Sequence, residues 1–300
     1  MRRTHVSALV LVIWFAMIGW QVRREYFQPE LTRLAEAALS LAPGVNFYTL
    51  RLGDRTVGLA TSRLDTVPSG FELEDVMTLD LPALGQTGSA VVRTRVSLSH
   101  ALVMGYFFFS LDSEVGRFRA EGVLGADSTL HVTIDAGGSE QEVAYRFAEP
   151  PIFSAALPIR IAMAGELKVG NTLHLPVFDP STLSMRVVEI RVLEHHTLIV
   201  ADSSSYNAAT TRWSPSRYDS VPAWKIAEVY GGVQVESWVD EDGRVLSATS
   251  ALGFTMEKTE YELARQARED ASGQLSLAID EDVILSTAVR SNVDQSPVPH

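Results

Sequence analysis

The chain contains no cysteine, which removes disulfides, thiolate metal sites, thiol nucleophiles and thiol redox relays together. It also lacks any run of Lys or Arg, and carries 37 acidic residues against 25 basic ones, a net charge of −12. Such a surface repels phosphate backbones, so nucleic acid is not an expected partner. The acidic excess serves solubility instead. No Gly-x-Ser-x-Gly elbow, P-loop or dinucleotide fingerprint occurs, and no motif calls for a cofactor.

Long apolar runs are scarce too, with one exception at the start. Residues 6–20 carry no charge, with Arg2 and Arg3 before them and Arg23 and Arg24 after. At about 1.5 Å per residue, the stretch 4–22 roughly spans a hydrocarbon core. Trp20, Tyr26 and Phe27 suit the outer interface, where amphipathic rings settle. The expectation is a short cytoplasmic tail at 1–5 and a transmembrane signal anchor at 6–22. The bulk then lies outside the cytoplasm, as a single-pass protein of the inner (cytoplasmic) membrane. The alternative is a cleaved secretory signal, although Gly19-Trp20-Gln21 is a poor cleavage site. An anchor without cysteines in about 200 exported residues, enough to bury a stable core, fits a bacterial envelope.

Beyond the anchor, residues 28–44 predict a juxtamembrane helix, with Leu31, Leu34, Ala38 and Leu41 on one side and Pro43-Gly44 as its stop. The period then becomes twofold. Strands are expected at 47–52 and 57–64 around the Gly53-Asp54 hairpin signal, then at 71–81, 90–98, 102–111, 115–124, 129–136 and 140–147. Residues 153–164 read as an apolar helical or irregular insert. Strands resume at 172–178, 184–193, 197–202, 224–229, 233–239 and 245–251, with Asp240-Glu241-Asp242-Gly243 as a hairpin turn. Residues 203–220, with six serines, Asn207 and Pro215, read as a loop. Residues 253–268 read as a helix and 269–300 as a tail.

The fold class is therefore mainly β. The short connections favour antiparallel neighbours within a domain at 46–268, built as one strongly curved sheet or as two β-subdomains.

The segments FYTLRLGDRTVGLATSRL, FFFSLDSEVGRFRAEGVL, HLPVFDPSTLSMRVVEIRVLE and VESWVDEDGRVLSATSALGFTMEKTEYELA resemble the β-rich region preceding the catalytic domain in bacterial transglutaminase-like proteins. DVILSTAVRSN is similar to the stretch that leads from that region into their catalytic part. That part uses Cys, His and Asp. With no Cys here, no catalytic residue carries over, and the resemblance implies a non-catalytic accessory module whose fold is similar to the curved sheets of periplasmic lipoprotein carriers.

Side chains with reactive or ligating potential are dispersed. His195 and His196 are adjacent on a strand and face opposite sides, which suits no shared metal. His100, His131 and His174 fall on different strands. Asp240, Glu241 and Asp242 lack the spacing of a calcium loop and read as a solvated hairpin tip. Glu72, Glu74 and Asp75 read as exposed residues beside a strand.

The apolar run is more suggestive. Tyr106, Phe107, Phe108 and Phe109 in succession project aromatics on both faces, and with Phe153 they form a candidate face for an apolar ligand or for packing. The function expected is a membrane-anchored, non-catalytic envelope β-domain that binds a protein partner or an apolar ligand. The rival is an accessory subunit of a split transglutaminase- or protease-like enzyme, with its catalytic domain on another chain. A site assembled from distant carboxylates or histidines is the enzymatic third.

Overall fold

The computed structural model describes residues 30–83, 86–230 and 233–272. The segments read as cytoplasmic tail and anchor lie outside the described residues, as does the tail from 273. Among the described residues, no helix is long and apolar enough to cross a membrane.

Alternating side chains and short turns give one fifteen-stranded sheet and not two subdomains. After helix α1 (Glu30–Ala38) come β1 (Gly44–Leu52), β2 (Arg55–Val67), β3 (Gly70–Ala83), β4 (Gln86–Ser99), β5 (Met104–Ser113), β6 (Gly116–Leu124), β7 (Thr129–Ala136) and β8 (Ser139–Arg146). The apolar insert supplies the two-residue β9 (Ile152–Phe153), a 3-10 turn and helix α2 (Leu157–Met163). Then follow β10 (Thr172–Asp179), β11 (Ser184–Asn207), β12 (Arg212–Tyr230), β13 (Val233–Val239), β14 (Val245–Ser250), β15 (Phe254–Thr259) and helix α3 (Tyr261–Ser272).

Two antiparallel meanders, β1 to β8 and β10 to β15, are joined because β1 pairs with β15. The parallel contact of β9 with β10 departs from the expected all-antiparallel pattern. The sheet edges at β8 and β9 are not hydrogen-bonded to each other, and they approach through aromatic rings. Phe178 of β10 lies 6.3 Å from both Tyr145 and Phe147 at the β8 edge, and 5.3 Å from Phe107 of β5. The curved sheet therefore closes on a side-chain seam, with its main core inside the curve.

Three expectations are corrected here. Residues 203–220 are not a loop. Apart from the turn at 208–211 they belong to β11 and β12, which pair from Glu189↔Val229 to Asn207↔Arg212. β10 pairs only up to Arg191, and β13 only from Trp224. The rest of the hairpin is a two-stranded ribbon beyond the sheet, whose polar composition resembles that of a loop because solvent reaches it. Pro215 is accommodated beside a register shift, where no regular ladder donor is required. The segment 253–268 is likewise not one helix. Its first part, β15, is held by ladders to both β14 and β1, which outweigh its weak helical stripe. The break expected between 193 and 197 is a register shift inside β11.

Helix α3 lies on the outer face against β1, β2 and β12. Tyr261 rests 5.3 Å from Phe47, and the Arg268 guanidinium donates to both Asp80 oxygens at 2.8 and 3.2 Å. At its other side, the Trp213 N–H donates to Gln266 at 2.7 Å, and Arg212 pairs with Asp270. The ribbon and the sheet thus hold α3 between them.

Candidate functional site

Directly paired residues of antiparallel strands share a face, so the register sorts the aromatic run. Phe107 aligns with Val96, Leu73 and Leu64 on the concave side. Phe109 aligns with Thr94 and Asp75 on the same side. Tyr106 and Phe108 point to the convex side, among Glu72, Arg95 and Glu121. The candidate face therefore divides. Phe107, Phe109 and Phe153 are buried together in the core, whereas Tyr106 and Phe108 are half-buried on the charged outer face. The chain's twofold period dictates this split, because consecutive residues of a strand cannot share a face.

Phe107, Phe153 and Phe178 are fully buried and close the lower part of the concavity. Gly122 makes room for the first of them, since a Cβ there would meet Phe107 Cε1 at 2.1 Å. The β13–β14 turn packs over α2 in the same region. Gly243 has φ +79°, and a Cβ on it would lie 2.5 Å from the Ile159 Cα. Asp240 is buried, not the solvated tip expected. Its Oδ1 accepts from the N–H groups of Asp242 and Arg244 at 3.0 and 2.8 Å, and burial raises its proton affinity.

Above this floor the concave face is only partly filled. One row across the sheet is polar and then apolar: Asn46, Ser62, Asp75, Thr94, Phe109, Ala120 and Ile134. The next row runs Tyr48, Ala60, Met77, Val92, Leu111 and Phe118. Met77, Val92, Leu111, Phe118 and Ile134 pack against the cores yet retain accessible surface. These inward-facing apolar side chains are the part of the concave face that solvent still reaches.

Asp75 lies in the polar part of that row. It is not the exposed strand residue anticipated, because it stands in phase with inward Leu73 and Met77, while Glu72 and Glu74 point outward to Arg95 at 3.1 and 2.8 Å. Asp75 as a residue keeps some accessible surface, but its Oδ1 is enclosed and has no hydrogen-bond partner. Burial pushes its carboxyl up to about 6, against a smaller lowering by the Ser62 hydroxyl, with the Glu74 charge adding to the rise. Nearby, the Tyr48 hydroxyl donates to the Val245 carbonyl at 3.0 Å, and burial holds it well above the usual phenol range. The clue to Asp75 was its two-residue spacing from Leu73 and Met77; the adjoining Glu72 and Glu74 obscured it.

The histidines do not converge. His195 lies tilted over Trp224 at 4.5 Å and His196 meets Trp238 edge-on at 5.7 Å, while His174 faces Glu189 and His100 faces Phe71. Among the described residues, no group of three or more His, Asp or Glu side chains is placed to hold a metal ion. In the serine cluster, Ser203 bonds to Ser216 and Ser204 donates to Glu262, so both brace the ribbon.

No family model matches the chain, and no curated protein matches it. Two solved structures share some of its shape. A beta-barrel-like protein of the domain of unknown function DUF1849 from Brucella abortus is 14% identical, covering 73% of this chain and 95% of its own, with a TM-score of 0.49. A DUF1089 family protein from Pseudomonas aeruginosa is also 14% identical, covering 69% and 91%, with a TM-score of 0.34.

Proposed function

We propose that the chain is a membrane-tethered, non-catalytic module of the bacterial envelope that binds an apolar ligand within its curved sheet. The tether rests on the arginine-flanked apolar segment 6–20, and the non-catalytic reading on the lack of cysteine together with the resemblance noted above. The observation that carries ligand binding is the partly open concave row of Met77, Val92, Leu111 and Phe118 above a floor sealed by Phe107, Phe153 and Phe178. Concave, mostly apolar surfaces with a few convergent polar groups are where small ligands bind. The aromatic run itself serves as the floor, so the ligand occupies the space above it.

Calorimetric titration of the full chain with 1-octanol tests this. Saturable binding is expected in the parent and loss of that binding in Leu111→Trp, which fills the space. Equal heats from the two proteins would defeat the reading.

A second reading, an accessory subunit whose catalytic domain resides on another chain, draws on the β11–β12 ribbon. Ile199 and Tyr218 are 65% and 58% exposed there and lie near each other on one face of the ribbon. A photo-crosslinker at Tyr218 is expected to give a discrete adduct in cells that Ile199→Asp removes. The same adduct from position Val115, on the exposed β5–β6 turn, would count against a ribbon-specific contact.

A further inference from the structure

Resting on the ligand reading above, we infer that the ligand is an organic cation with an apolar body, its positive group held by Asp75 and its body lying along Met77, Val92, Leu111 and Phe118. The Asp75 carboxyl projects into the concave face with Oδ1 enclosed and unpartnered. A buried carboxylate is retained at a cost unless something pairs with it. The charged neighbour acting on it is Glu74, another carboxylate, and Ser62 supplies its hydrogen bond.

The flanking row members Asn46, Ser62 and Thr94 offer uncharged hydrogen-bonding groups to an ammonium or guanidinium. Ile134 and Phe118 continue the surface as apolar wall. A single anionic point beside an apolar wall favours a cation with a hydrocarbon tail over a fatty acid, whose carboxylate would be repelled. It also favours the cation over a neutral alcohol, which leaves the charge uncompensated. The other titratable groups in the neighbourhood are Tyr48, Asp240, Arg244 and Lys258, the last paired with Tyr48 across β1 and β15 and so on the same face. Arg244 is committed elsewhere, to Asp242 at 3.3 Å and the Ala42 carbonyl at 3.0 Å.

The test is calorimetric titration of the full chain with octylammonium, 1-octanol and octanoate, three probes of one chain length. At pH 8, octylammonium is expected to bind at least tenfold more tightly than octanol, and octanoate more weakly than either. The preference is expected to shrink several-fold at pH 5, where Asp75 takes up a proton while the amine stays charged. Asp75→Asn is expected to abolish the preference, whereas Ser62→Ala, which keeps the carboxylate, retains it. Octanol binding without any preference for octylammonium overturns the cation inference alone. Absence of binding by all three probes overturns the apolar-ligand reading together with it. Should Asp75→Asn not fold, the pH dependence of the parent decides: a preference equal at pH 5 and pH 8 overturns the assignment to Asp75.

Discussion

Phe178 packs face-inclined against Phe107, 5.3 Å between ring centroids, although nine strands lie between β10 and β5 in the order of the sheet. This contact, with Tyr145 and Phe147, takes the place of the hydrogen-bonded ladder that would close a barrel. Phe178→Ala is expected to cost about 3–5 kcal/mol, the usual penalty for emptying a fully buried aromatic site. Urea denaturation followed by tryptophan fluorescence checks it. A loss well under 1 kcal/mol would mean that the seam contributes little.

Gly243 should tolerate no side chain. Its φ of +79° disfavours L-residues, and a Cβ would meet backbone atoms of α2 at 2.5 Å. Backbone on both sides cannot yield as a flexible side chain can, so Gly243→Ala is expected to destabilise by roughly 2 kcal/mol or more. Gly137→Ala, also at positive φ but with open space around it, is expected to cost about half as much or less. Paired thermal melts compare the two.

Asp75 gives stability a pH dependence of defined sign. Its folded value of about 6 lies above the ordinary 3.8, so the folded chain holds a proton that the unfolded chain has released. The contribution is most favourable below about pH 4 and is lost as pH rises through 6. Asp75→Asn is therefore expected to stabilise by up to about 3 kcal/mol at pH 8 and to change little at pH 4. Denaturant midpoints at the two pH values measure this. A gain of equal size at both would assign the effect to packing instead of charge.

Arg268 anchors α3 through both oxygens of Asp80, with both side chains about one-fifth exposed. A double-mutant cycle on Asp80→Ala and Arg268→Ala is expected to return a coupling of about 1 kcal/mol, more than an exposed pair supplies. Hydrogen exchange across α3 should rise in either single mutant. Unchanged exchange would show that the contacts with β1 and the ribbon suffice to hold the helix.

Most strands could be read from residue order, because their side chains alternate and turn residues separate them: β7 and β13 lie where the period put them. The ribbon could not. Serines, Tyr206, Arg212 and Pro215 form a solvent-exposed β-pair, which Gln266 and Glu262 of the distant α3 brace. β15 was hidden for a related reason. Its strand state depends on β1, some two hundred residues earlier, offering an edge.

Sequence alone determined the absence of thiol chemistry, the twofold periodicity that makes this a β-protein, and the alternation that sends Phe107 and Phe108 to opposite faces. These follow from composition and from neighbours along the chain. Only the tertiary structure decided that β1 meets β15, that Phe178 seals the concavity, and that Asp75 faces inward without a partner for its Oδ1. Each depends on segments distant in the chain being brought together, and burial and unpaired charge have no meaning until that enclosure exists.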